Sequence, residues 1–171
     1  MAVQLTADDA RQSLTAHVEA KGIEVFLKYG PVLDWNALQR LLGDRAYVRY
    51  PCEIAFDAEP LLPGEFAQPV QKGELPEDGF TMAVHPLFEQ DLDCVPALVL
   101  YQIVAVNYGV FASSDDAETF GAAALGLTRD EYYALICELA NQLGAGLEAG
   151  ERTASAEHDH AGGCGGGCSC G

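Results

Sequence analysis

Residues 94–114 read CVPALVLYQIVAVNYGVFASS and contain no charged side chain over 21 positions. This length is close to the roughly 20 apolar residues that a membrane-spanning helix requires. Both flanks are acidic, with Asp91 and Asp93 on one side and Asp115 and Asp116 on the other, so neither carries the basic residues that anchor such a span. We therefore predict a helix that is buried at the centre of the protein, with the other elements packed around it.

Two helices are predicted before this stretch. Thr6 and Asp9 have the spacing of an N-terminal cap, and apolar residues at helical spacing follow, which predicts a helix over residues 7–21. Asp34 can cap a second, shorter helix that Gly43 ends.

Two more helices are predicted after it. Ser114 can cap a helix over residues 115–125. Thr128 and Glu131 form a capping box that opens the segment TRDEYYALICELANQLG, whose apolar residues recur at helical spacing. Gly144 is predicted to end this last helix.

The strands are predicted between the second helix and the central one. Residues 46–57 alternate apolar and polar side chains, which is typical of a half-buried strand, and Pro51 favours a place at a sheet edge or at a bulge. Residues 80–84 (FTMAV) are predicted to pair with it, and a short strand is expected near residues 65–70. The sequence thus predicts an α+β fold in which four or five helices pack on a small antiparallel sheet.

The chain is strongly acidic, with 26 Asp and Glu against 9 Lys and Arg and a formal net charge of −17. Residues 151–171 hold three acids and one base, which leaves 23 acids and 8 bases in residues 1–150. No Lys or Arg occurs in residues 73–128. This distribution argues against nucleic acid and against an anionic membrane surface as partners. One acidic globular domain is predicted over residues 1–147.

Residues 148–171 read EAGERTASAEHDHAGGCGGGCSCG and contain no large apolar side chain, so they are predicted to be a disordered tail. Five potential metal ligands lie within 13 positions of this tail: His158, His160, Cys164, Cys168 and Cys170. Imidazole and thiolate are ligands that Zn, Ni, Co and Cu(I) accept, and four of them complete a tetrahedral site. The intervening glycines permit the tight turns that such a site requires. The tail is therefore predicted to capture or deliver a transition metal ion.

Other interpretations of the tail remain open. The spacing Cys-x3-Cys-x-Cys matches neither the paired Cys-x2-Cys units of zinc fingers nor a known iron–sulfur pattern. Cys168 and Cys170 could instead form a strained disulfide that Cys164 resolves. Alternatively, the tail could be an extension that binds metal only when metal is in excess.

The segment HDHAGGCGGGCSCG resembles the His-, Cys- and Gly-rich C-terminal extensions of bacterial metal-handling proteins, notably the SlyD-type prolyl isomerases that assist nickel delivery. The likeness covers residues 157–171 and rests on composition. It implies that the five side chains act as ligands in intracellular metal trafficking. It implies no isomerase activity, because residues 1–150 do not look like the isomerase domain of that family.

A second possible metal site lies in the body of the chain and consists of residues within one ten-residue stretch: His85, Glu89, Asp91 and Asp93, with Cys94. His85 and Glu89 would share one face if this segment were helical. Glu53 and Asp57, on the polar side of the first predicted strand, could complete the site. The alternative is a structural histidine beside solvated acidic side chains.

Three functions are compatible with these features. The first is a cytosolic transition-metal-binding accessory protein, whose body recognises a protein client and whose tail handles Zn, Ni, Co or Cu(I). The second is a metal-dependent enzyme with a site around His85, and the third is a non-catalytic interaction domain with a dispensable tail. No residue is assigned a catalytic role. The N-terminal MAVQLTADDA has neither the basic flank nor the apolar segment of a secretory signal, so a cytoplasmic protein with reduced thiols is expected.

Overall fold

The computed structural model describes the backbone of residues 6–155 and the side chains of residues 6–144. Within that range the helices are α1 (Ala7–Tyr29), α2 (Trp35–Leu42), α3 (Val95–Tyr108), α4 (Ser114–Leu125) and α5 (Arg129–Ser155), and the strands are β1 (Cys52–Phe56), β2 (Ala67–Gln71) and β3 (Phe80–Val84). Short 3-10 turns occupy Pro76–Asp78, Pro86–Gln90 and Gly109–Phe111. The predicted α+β class is confirmed.

α3 is the helix predicted at the centre, and ten of its fourteen residues are buried. It packs against α4 and α5 on one side and against the sheet on the other. Tyr132 of α5 is fully buried, and its hydroxyl donates a hydrogen bond of 2.7 Å to the carbonyl of Ala97 in α3. Across residues 6–155, no helix combines the length and apolar character needed to cross a bilayer.

α1 begins at its predicted cap, where Thr6 and Asp9 form a reciprocal capping box. It continues to Tyr29, eight residues beyond the predicted end, because its second half packs on α4. Gly22 lies where the two helices are in close contact, since an added Cβ would stand 2.7 Å from the Ala123 Cβ. The absence of a side chain at this position therefore permits the contact that prolongs α1.

The sheet differs in direction from the prediction. Its strand order is β1-β3-β2, and β3 pairs antiparallel with β2 as expected but parallel with β1, so the sheet is mixed and not wholly antiparallel. Local patterning cannot reveal this, because both pairings use the same alternation of side chains. β3 occupies the centre because it carries the most buried of the three sequences.

β1 is also shorter than residues 46–57. The segment that precedes Pro51 forms a turn, in which the Arg45 guanidinium donates to the carbonyls of Leu42, Val48 and Tyr50. Backbone carbonyls that bind an arginine in this way are not available to a strand ladder. The alternating apolar and polar residues 46–50 therefore lie in this turn and not in β1.

The last helix overruns its predicted end. Gly144 lies inside α5, whose backbone continues to Ser155. The predicted boundary between body and tail at residue 147 thus falls within the helix. Its apolar face is the predicted one, with Tyr132, Leu139 and Leu143 buried.

Candidate functional site

The predicted metal ligands of the tail lie outside the described residues. His158, the first of them, comes three positions after Ser155, where α5 ends. The ligand segment is thus joined to the helix whose earlier turns pack in the core. Metal binding by His158, His160, Cys164, Cys168 and Cys170 stays a prediction.

His85 lies directly after β3, where it caps the turn Pro86–Gln90. Its Nδ1 accepts a hydrogen bond of 3.2 Å from the backbone N–H of Leu87. A neutral imidazole whose Nδ1 is an acceptor carries its proton on Nε2. In this arrangement neither ring nitrogen has a free lone pair for a metal ion.

The acidic side chains near His85 are not assembled around it. Glu89, Asp91 and Asp93 are exposed, and Asp91 accepts a hydrogen bond of 3.0 Å from the Cys94 thiol. Burial, together with that bond, raises the pKa of Cys94 to about 11, so this thiol is protonated at neutral pH. In the part of the chain that the structure describes, no three His, Cys, Asp or Glu side chains are grouped so that they could hold a metal ion.

The remaining residues suggested for this site have other partners. Glu53 forms an ion pair with the Lys72 ammonium, and Asp57 accepts from the backbone N–H of Glu59 at 2.9 Å. These contacts are those of ordinary structural side chains.

Two adjoining cavities lie between the first helix, the turn before β1 and the end of the central helix. The larger has a volume of about 590 Å³ and is mainly apolar, with Leu14, Phe80, Val106 and Phe111 among its lining residues. The smaller has a volume of about 220 Å³ and contains the basic side chains His17, Lys21, Arg45 and Arg49. Arg49, Asn107 and Tyr108 line both, and we call the two cavities together the Arg49 cleft.

Asn107 fixes the turn that presents Arg49. Its side chain is buried, its Oδ1 accepts a hydrogen bond of 2.8 Å from the Arg49 N–H, and its Nδ2 donates at 2.6 Å to the Tyr47 carbonyl. The Arg49 guanidinium lies 5.4 Å from the centre of the Tyr50 ring, within the range of a cation–π contact. Backbone and side chain of Arg49 are thus both held at the cleft.

The cleft is lined by basic side chains, although the chain as a whole is acidic. Acids outnumber bases 26 to 9 in the sequence, yet no acidic residue lines either cavity. Sequence reasoning missed this site, because its residues come from four separate segments of the chain, within 10–21, 45–50, 71–80 and 105–111. The one available indication was that six of the nine basic residues precede Tyr50.

Comparison with models of protein families, with curated proteins and with solved structures finds no match to the sequence or to the fold.

Proposed function

We propose that the protein is a transition-metal-binding accessory protein whose C-terminal segment captures or delivers Zn, Ni, Co or Cu(I). The observation that carries this proposal is the occurrence of five imidazole and thiol side chains within 13 positions, from His158 to Cys170. Thiolates select Zn and Cu(I), and imidazoles extend the range to Ni and Co. The segment therefore provides enough ligands to surround one ion.

The folded body contributes in two ways to this function. Residues 1–150 hold 23 acids and 8 bases, and within roughly 8 Å of this surface their negative potential raises the local concentration of cations. α5 continues past the buried Leu143 for twelve residues, which is about 18 Å of helix at 1.5 Å per residue. The metal ligands begin just beyond that helix, where a bound ion can be presented to a protein client in the cytoplasm.

A catalytic metal site at His85 is not proposed. The capping role of His85 Nδ1 places the ring proton on Nε2, and the nearby carboxylates do not gather around the ring. The ligands after Ser155 carry the proposal without it.

The test compares full-length variants that differ only in their ligands. In one, Cys164, Cys168 and Cys170 are all replaced by Ser; in another, His158 and His160 are replaced by Ala. Changes outside the first coordination shell already weaken metal binding by roughly 10–100-fold, so losing three thiolates should weaken Zn and Cu(I) binding by more than about 100-fold. Loss of the histidines should mainly reduce binding of Ni and Co.

Metal content is measured by elemental analysis after dialysis under reducing conditions, and affinity by competition with a chelator. Cys94→Ser serves as the matched control, since a serine hydroxyl can also donate to Asp91. The control should keep wild-type stoichiometry and affinity. Unchanged metal binding by the triple Cys→Ser variant would overturn the proposal.

A further inference from the structure

We propose that the Arg49 cleft binds a small organic monocarboxylate, with the carboxylate on the Arg49 guanidinium and the apolar part of the molecule in the larger cavity. This site is separate from the metal ligands of the tail. It rests on the charge, the free hydrogen-bonding capacity and the shape of the cleft.

The charge of the cleft favours an anion. The side chains of Lys21, Arg45 and Arg49 meet around its smaller cavity together with His17, and no carboxylate lines either cavity. In a chain with a formal charge of −17, such a grouping is a local reversal of sign. At physiological ionic strength the charges beyond roughly 8 Å are largely screened, so a small anion responds mainly to the side chains that surround it.

Arg49 is the group best able to bind that anion. The Lys21 ammonium is paired with Glu24 at 2.9 Å, and the Arg45 guanidinium is used by three backbone carbonyls. The Arg49 guanidinium, in contrast, donates no hydrogen bond to any residue within the described range. Its planar fork matches the two oxygens of a carboxylate.

The larger cavity favours an apolar molecule attached to that carboxylate. Its volume of about 590 Å³ is within the roughly 300–1,000 Å³ of typical small-molecule pockets. Leu14, Phe80 and Val106 provide apolar walls, and Phe111 is 80% exposed at the rim. A ligand with an alkyl or aryl body would cover this apolar surface and exclude water from it.

A single negative charge fits better than several. Only one guanidinium of the cleft is free, whereas phosphate groups are usually bound by clusters of basic side chains. These considerations favour a monocarboxylate over a nucleotide or another phosphate ester.

The experiment is calorimetric titration of the full-length protein with octanoate. Acetate, which lacks the apolar body, and octanamide, which lacks the charge, are the comparison ligands. We expect octanoate to bind with a dissociation constant below about 1 mM, and both comparison ligands to bind at least about tenfold more weakly.

Two arginine variants test the position of the carboxylate. Arg49→Gln should weaken octanoate binding at least about tenfold, because a charge-assisted bidentate contact is lost. Arg40→Gln is the control, since Arg40 also lies over a tyrosine ring, at 5.9 Å, but lines neither cavity. Equal affinities of the two variants, equal binding of octanoate and octanamide, or no octanoate binding at about 10 mM would each overturn the proposal.

Discussion

At the scale of single residues, Asp44 is a carboxylate that accepts three hydrogen bonds. It accepts hydrogen bonds from the Lys28 ammonium at 2.6 Å, the Tyr29 hydroxyl at 2.8 Å and the backbone N–H of Ala46 at 3.1 Å. These donors, the ammonium above all, lower the pKa of Asp44 to about 2. The ionised carboxylate therefore ties the end of α1 to the turn after α2.

Asp44→Asn should destabilise the protein at neutral pH by about 1–2 kcal/mol, which allows for the partial exposure of the ion pair. Since the folded-state pKa is below the usual 3.8, this stabilisation is complete above about pH 4 and disappears as the pH falls through about 2. Urea titrations of wild type and variant at pH 7 and at pH 2.5 measure the difference.

The same titrations with Glu59→Gln provide the control. Glu59 is exposed, and its carboxylate accepts no hydrogen bond from any residue within the described range. Its replacement should change stability by less than about 0.5 kcal/mol at either pH. If the free energies of unfolding of wild type and Asp44→Asn differed as much at pH 2.5 as at pH 7, the stabilising role of the ionised Asp44 carboxylate would be contradicted.

At the scale of elements, the two long helices contain glycines with opposite surroundings. Gly22 in α1 faces α4, where an added Cβ would meet the Ala123 Cβ and the Phe120 carbonyl, each at 2.7 Å. Gly144 in α5 has open space around it and is not in the left-handed region. Replacing each glycine by alanine therefore distinguishes the effect of helix propensity on stability from the effect of packing.

Gly22→Ala should destabilise the protein by about 1–2 kcal/mol, because overpacking at the α1–α4 contact outweighs the better helix propensity of alanine. Gly144→Ala should instead stabilise it by about 0.5–1 kcal/mol. Thermal and urea denaturation measure both changes. If Gly144→Ala were destabilising, α5 would end near that glycine, and a stable Gly22→Ala variant would mean that α1 and α4 are farther apart.

The sequence predicts helix starts better than helix ends. The caps at Thr6, Asp34 and Thr128 form as expected, because each depends on hydrogen bonds between residues three positions apart. The predicted cap at Ser114 is wrong by one position, since Ser113 caps α4. The sequence predicts the ends of α1 and α5 too early, at Lys21 and Gly144. α5 continues through Gly144, which is not in the left-handed conformation of a helix stop. α1 continues because it contacts α4, an element distant in the sequence. The parallel direction of β1 beside β3 also depends on contacts between residues that are distant in the sequence, so local patterns do not predict it.

At the scale of the whole molecule, acidic and basic groups are unevenly distributed. The sequence alone shows the excess of acids and the concentration of bases in its first third. It cannot show that His17, Lys21 and Arg49 meet Tyr108 at one cleft, because these residues are far apart in the sequence and only the fold brings them together. The predicted tail ligands, in contrast, are close together in the sequence, so the sequence alone indicates them.

The mixed sheet has a consequence for the order in which the protein folds. The connection between β2 and β3 has eight residues, whereas that from β1 to its partner β3 has 23. Closing the longer connection costs about 1 kcal/mol more chain entropy, so β2 and β3 should pair before β1 joins them.

The order can be measured from the folding and unfolding rates of two variants, each of which shortens a half-buried side chain in one strand. Val70→Ala in β2 should slow folding, whereas Ile54→Ala in β1 should mainly accelerate unfolding. The opposite pattern would mean that the parallel pair forms first. If β2 and β3 do pair first, β3 exposes an unpaired edge until β1 arrives, and it is in that interval that this chain is most open to pairing with a second copy of itself.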